Sequence, residues 1–200
     1  MPVGSTERWA DPDRTADSRD VRPGGNRAPR VTGVPIWLLD VDGVLNAVCH
    51  PSRPPRTWDS WRSGTAIAAG ERFVITFAPE LMTGIRDLHE SGMVEIRWLT
   101  TWGHDANRSL RHLLELPEFP VAGEPAYAEA WWKLPCAVRA AQDERPLIWT
   151  DDDLDYSEPA RAWAAKLDAL TIAPEPTVGL TPADLDAIRT YCAKDRRQRG

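Results

Sequence analysis

Ile36-Trp37-Leu38-Leu39-Asp40-Val41-Asp42-Gly43-Val44-Leu45-Asn46 runs from an apolar tetrad into two carboxylates one residue apart, with a glycine directly behind them. Period-2 geometry puts Asp40 and Asp42 on the same side of an extended chain as it leaves a sheet. Gly43 lets the backbone turn closely around whatever sits there. Two neighbouring anions at a strand end repel unless a cation or a shared proton compensates them. A hard divalent ion with oxygen ligands, usually Mg²⁺, is the simplest compensation. The stretch therefore reads as a candidate phosphoryl-transfer site. A plain Asp-Gly hairpin turn accounts for Asp42-Gly43 but leaves Asp40 without a reason. An EF-hand loop is excluded: counted from Asp40, the glycine comes fourth instead of sixth, and Pro51 holds the twelfth place where a Glu belongs.

Outward from this stretch, apolar strands alternate with amphipathic helices. Strands are expected at residues 35–40, 94–100, 119–122, 147–150 and 169–173, and helices at 79–90, 105–114, 132–142, 158–167 and 182–192. In the second helix Ala106, Leu110, Leu113 and Leu114 make one apolar face. Thr181 followed by Pro182 marks the start of the last one. Such alternation implies an α/β fold, a three-layer Rossmann-like parallel sheet between helices. Ligands of these sheets bind outside the carboxyl ends of the strands. Residues 47–78 interrupt the pattern after the first strand. Their second half reads as a β-hairpin, 65–69 and 72–77 around Gly70-Glu71, a small flap over the site.

The chain has 200 residues, enough for one domain (34–200) behind a tail (1–33). Prolines and glycines break the tail, and five acids dilute its six arginines, so a disordered, solvated segment is expected there. A net charge of −6 argues against coating nucleic acid, which needs a basic surface. A phosphorylated end or a small phosphate ester remains compatible, since a metal supplies positive charge locally. Cys49, Cys136 and Cys192 are odd in number and lack metal-type spacing, so they read as reduced thiols. With no membrane-span or signal-peptide pattern, a soluble cytoplasmic protein is expected.

Three further segments invite comparison with the first. Ile96-Arg97-Trp98-Leu99-Thr100-Thr101-Trp102-Gly103 ends a strand in hydroxyls that could donate to a phosphate, although threonine is common in strands anyway. Leu147-Ile148-Trp149-Thr150-Asp151-Asp152-Asp153 ends another in three carboxylates, costly without a cation. A solvated acidic turn before the helix near Glu158 explains one of these acids better than the cluster. Lys133 precedes Pro135 and so falls at a helix N-terminus, where the helix dipole disfavours a cation. It is either an ordinary surface lysine or the counter-charge to a carboxylate-rich site. His104 and Asn107 read first as part of a solvated helical turn capped with help from Asp105. Trp58 and Trp61 read as packing, one pair among ten tryptophans.

In this order, Asp40-Val41-Asp42-Gly43-Val44, Thr100, Lys133 and Asp151-Asp152 resemble the four motifs of the haloacid dehalogenase (HAD) superfamily of aspartate-nucleophile phosphatases. The resemblance covers roughly residues 35–192. More narrowly, Leu99-Thr100-Thr101-Trp102-Gly103-His104-Asp105-Ala106-Asn107 and Trp132-Lys133-Leu134-Pro135 look like the HAD domains of bacterial "Swiss Army knife" RNA-repair proteins. Members of that group occur fused to nucleic-acid end-processing modules, for which this chain has no room. The resemblance implies a HAD-like domain and a Mg²⁺ cofactor. It implies Asp40 as nucleophile, Asp42 as general acid and base, and Thr100 and Lys133 as holders of phosphoryl oxygens. Thr101 and Gly43 would line the substrate. The metal would be held by Asp40, the Asp42 backbone carbonyl, and Asp152 or Asp151, with Asp152 preferred. The substrate would be a phosphorylated metabolite, a nucleotide or a nucleic-acid end, and no stable protein partner is foreseeable. Phosphotransfer to another acceptor and a non-catalytic phosphate-binding module are the alternatives.

Overall fold

A computed structural model describes residues 33–125 and 131–199, with side chains as far as residue 194. The tail expected at residues 1–33 lies almost wholly outside the described residues. Four parallel strands form the central sheet: β1 (Ile36–Leu39), β4 (Glu95–Trp98), β5 (Leu147–Thr150) and β6 (Leu170–Ile172), in the order β4-β1-β5-β6. Two more, β2 (Arg62–Ala68) and β3 (Glu71–Phe77), pair antiparallel as a separate hairpin. Among the described residues five α-helices accompany them: α1 (Pro79–Glu90), α2 (Arg111–Leu114), α3 (Lys133–Ala140), α4 (Glu158–Lys166) and α5 (Pro182–Arg199). The architecture is mixed α/β and compatible with a Rossmann-like fold.

Both faces of the sheet are covered, and β1 shows why its sequence is apolar throughout. Trp37 and Leu39 pack into one cluster with Ile96, Trp98, Ile85 of α1 and Ile188 of α5. Ile36 and Leu38 pack into the other with Leu147, Trp149, Ala137 of α3 and Ala160 of α4. A strand buried on both faces has no polar side to show, as parallel sheets require. Helix α1 buries Leu81, Met82, Ile85 and Leu88, a stripe at helical spacing opened by Pro79 in the first turn. It lies close to α5, because a Cβ on Gly84 would crowd Leu185. The start of α5 is held as the sequence suggests. The Thr181 hydroxyl accepts from the Asp184 amide, and the Asp184 carboxylate accepts from the Thr181 amide at 2.8 Å.

Three elements differ from the sequence expectation. The strand at 119–122 is reduced to one bridge between Trp98 and Val121, carried by hydrogen bonds from the Trp98 amide to the Pro120 carbonyl and from the Ala122 amide to the Trp98 carbonyl. The Pro120 carbonyl faces β4, and the N–H that proline lacks would have paired on that same side, so the ladder stops at one bridge. The second helix begins as a π-helical turn, Ala106–Leu110, before α2. The hairpin turns at Ala69-Gly70, with φ of 49° and 81°, one residue earlier than expected. Positive φ at both central residues is the two-residue turn whose twist matches paired strands. Among the described residues no helix is long and apolar enough to cross a membrane.

Candidate active site

Register decides which residues meet. Leu39 is level with Trp98 on one side and Thr150 on the other, so the next residue along, Asp40, emerges beside Leu99 and Asp151. The Asp40 amide bonds the Thr150 carbonyl at 3.1 Å, which continues the ladder to the carboxylate itself. Gly43 then reverses the chain at φ 71°. A Cβ there would run into the Asp152 carboxyl group, so glycine is required for conformation and for space alike. Below the acids, the Trp37 indole donates to the Thr150 hydroxyl at 2.9 Å.

Asp40, Asp151 and Asp152 each place a carboxylate oxygen within 4.8 Å of the others, and this acidic cluster could hold a metal ion. Lys133 projects from the first residue of α3 and places its Nζ 2.7 Å from both Asp40 Oδ2 and Asp151 Oδ2. All three of these side chains are buried. Trp131 lies beside the ammonium, 5.8 Å from ring centroid to Nζ, and stacks on Trp149 at 5.4 Å. Lys133 is therefore a buried counter-charge and not a surface lysine.

The electrostatics follow from crowding. Burial drives the Asp40 carboxyl above its ordinary range, and the Lys133 charge offsets this only in part. Burial and then the Asp40 charge push Asp151 up to about 7. The same causes, with a contribution from Asp153, raise Asp152 to about 6. Burial pulls Lys133 down, but Asp40 and Asp151 together outweigh it, so the ammonium is held more firmly than usual. Three carboxylates against one ammonium make a site short of positive charge.

Removing Lys133 exposes that shortage. Lys133→Met is expected to lose about 3–5 kcal/mol of metal-free stability at pH 8, the usual cost of stranding a buried charge. At pH 5 the loss should be smaller, because Asp151 then carries a proton. Urea denaturation in chelator at both pH values measures it; equal, negligible losses would show that the contacts carry no net stabilisation.

Thr100 is fully buried; its hydroxyl accepts from the Trp102 amide and lowers the Asp40 carboxyl slightly against the effect of burial. Thr101, one residue on, is exposed. Asp42 stands apart from the acidic cluster. Its Oδ1 accepts from Asn46 Nδ2 at 2.7 Å and its Oδ2 from Trp102 Nε1 at 2.9 Å. The structure draws both Asp151 and Asp152 into the cluster, so the choice between them dissolves: Asp151 faces Lys133, while Asp152 faces Gly43.

Other singled-out residues have structural employment. Asn107 accepts from the Trp98 indole and donates to the Phe119 carbonyl at 2.7 Å, pinning the edge segment to β4. Asp105 makes no cap; its carboxylate accepts from the Ala69 amide at 2.9 Å and tethers the hairpin turn. His104 faces Glu124 at 3.2 Å, both largely exposed. Trp58 donates to the Leu180 carbonyl at 2.8 Å, and Trp61 packs against the core beside it. Asn46 and Trp102, the two partners of Asp42, had no role assigned from sequence. Asn46 could have been found from its place four residues after Asp42, but nothing in the sequence marks Trp102. No protein-family model matches the chain, and no curated protein matches it.

Proposed function

We propose that this protein is a Mg²⁺-dependent phosphate-ester hydrolase of the haloacid dehalogenase type, working through an aspartyl-phosphate on Asp40. The observation that carries the reading is the buried Lys133 ammonium, 2.7 Å from Asp40 and from Asp151, with Asp152 completing the acidic cluster. A buried lysine between two carboxylates is costly as mere structure, whereas it suits a site that receives a phosphoryl group. Mg²⁺ fits the donor set: all three side chains offer hard oxygens, and three carboxylates less one ammonium leave two negative charges for a divalent ion to balance. Asp40, Asp152 and Asp151 would hold it, with the Asp42 carbonyl. When bound it supplies Lewis-acid charge compensation between nucleophile and phosphate.

The residues then divide the chemistry. Asp40 attacks phosphorus; an Asp40–phosphorus bond forms and the ester P–O bond breaks. Asp42 gives its proton to the departing oxygen, and then takes one from water as that water attacks the aspartyl-phosphate. The Asp40–phosphorus bond breaks, and inorganic phosphate leaves. Each step returns Asp42 to the state the next one needs. Thr100 and Lys133 hold the non-bridging oxygens, and the β2–β3 hairpin acts as a flap that limits water.

Phosphate release should be measured with Mg²⁺ on small phosphate esters, nucleotides, and 3′- or 5′-phosphorylated oligonucleotides. Release is expected for at least one class, abolished by EDTA and restored by Mg²⁺. Turnover indifferent to the chelator would remove the metal, and a silent panel with phosphate bound but not released would favour the binding-module alternative.

A further inference from the structure

Both oxygens of Asp42 are occupied, and both of its partners are tied to the same strand of the hairpin. Asn46 Nδ2 donates to Oδ1 at 2.7 Å, while Asn46 Oδ1 accepts from the Thr76 amide of β3 at 2.8 Å. Trp102 Nε1 donates to Oδ2 at 2.9 Å, and the Trp102 ring meets the Phe73 ring of β3 edge-on at 5.5 Å. Asn46 and Trp102 are buried, so neither has water as an easy substitute partner. The hairpin is in turn strapped to the segment that follows β4, through Ile67 to Ser109 at 2.7 Å and Ala69 to Asp105 at 2.9 Å. An aspartate just beyond the end of β1 is thus aimed by two donors from different segments, each registered against one short strand.

We propose that Trp102 and Asn46 are positioning residues for Asp42, and that strand β3 sets both of them through Phe73 and Thr76. The inference rests on the hydrolase reading, because it assigns Asp42 the proton transfers. An indole N–H and an amide N–H in these places can donate but not accept. They fix the carboxylate plane in the orientation from which it takes a proton from water, and a displaced β3 would release both at once. Hairpin placement and acid–base competence are then one variable.

The test compares wild type with Trp102→Phe, which keeps an aromatic ring near Phe73 and removes the N–H together with the rest of the five-membered ring. Two esters are used: p-nitrophenyl phosphate, whose leaving group needs little protonation, and glycerol phosphate, whose alkoxide needs a proton. For Trp102→Phe, kcat/KM is expected to stay nearly unchanged on the nitrophenyl ester and to fall on the order of 10²-fold on the alkyl ester. Its kcat on the nitrophenyl ester should also fall, with phosphoenzyme accumulating in quenched samples by intact mass. Phe73→Ala should shift both readouts in the same direction by less. Proportional losses on both esters without phosphoenzyme, or no loss at all, overturn the proposal while leaving the hydrolase reading intact. A wild type inactive on every phosphate ester overturns that reading and this one together. The contact has its own readout: the Trp102 indole N–H resonance, assigned by its loss in Trp102→Phe, should move in Asp42→Ala, and an unmoved resonance refutes the hydrogen bond.

Discussion

Asp40→Asn is expected to abolish turnover, with no phosphoryl group detectable on the quenched protein. The substitution is nearly isosteric, but an amide is no nucleophile towards phosphorus, and it withdraws one charge from both Lys133 and the acidic cluster. Asp42→Asn should behave differently. Its nucleophile is intact, so p-nitrophenyl phosphate can still phosphorylate Asp40 slowly, after which no base activates water. Intact-mass analysis should show one added phosphoryl group on Asp42→Asn and none on Asp40→Asn. The rate losses should exceed about 10³-fold for Asp40→Asn, as for removal of a covalent nucleophile. Wild-type turnover by Asp40→Asn would end the covalent mechanism. It would leave phosphate binding by Lys133 and Thr100 as the surviving role of the site.

Metal-free protein is expected to lose stability as pH rises from about 4 to about 7, and Mg²⁺ to restore it. The folded-state carboxyls of Asp151 and Asp152 are raised from 3.8 to about 7 and about 6. Across that window the folded protein retains protons that the unfolded chain has released, so the slope of stability against pH is negative. Below pH 4 both states are protonated and the penalty is absent; above pH 7 it is fully present. For buried Asp151 it amounts to a few kcal/mol, on the order of 1.4 kcal/mol per pH unit of displacement. Asp152 is only partly buried and contributes less. A metal binds the deprotonated form, so its stabilisation should grow with pH, reaching about 2.7 kcal/mol at a hundredfold excess over Kd. Melting curves at pH 5 and pH 8, with EDTA or with Mg²⁺, check both signs. Asp151→Asn should flatten the metal-free slope. A metal-free melting temperature that is flat from pH 4 to 7, with an equal Mg²⁺ effect at both ends, would contradict the clustered, charge-starved site.

Much of the site is legible in the sequence, and for a local reason. A strand carries its register in its own sequence, so apolar runs ending at Asp40, Thr100 and Asp151 announced that three polar ends share one edge of a parallel sheet. For Lys133 the sequence marks only an unfavourable place at a Pro-marked helix start, which leaves surface lysine and counter-charge both open; its two carboxylate partners decide between them. Gly43 was legible as a tight turn, although the crowding of Asp152 against it was not.

What only the tertiary structure decided depends on distances between segments far apart in the chain. Whether Asp151 or Asp152 belongs with Asp40 could not be read from three like residues in a row; the chain bends into a short 3₁₀ turn at Asp152, and both fall within reach. Asp105 and Asn107 look like ordinary helix-start residues until the hairpin and the Phe119 backbone are packed against them. The indole of Trp102 meets Asp42 across sixty positions of sequence, and no local pattern encodes that meeting. Periodicity, turn chemistry and charge at a strand end are properties of neighbouring residues, so sequence alone determined the sheet, its polar edge and the acids on it. The partners that aim those acids are fixed by packing between elements, which only the folded chain brings together.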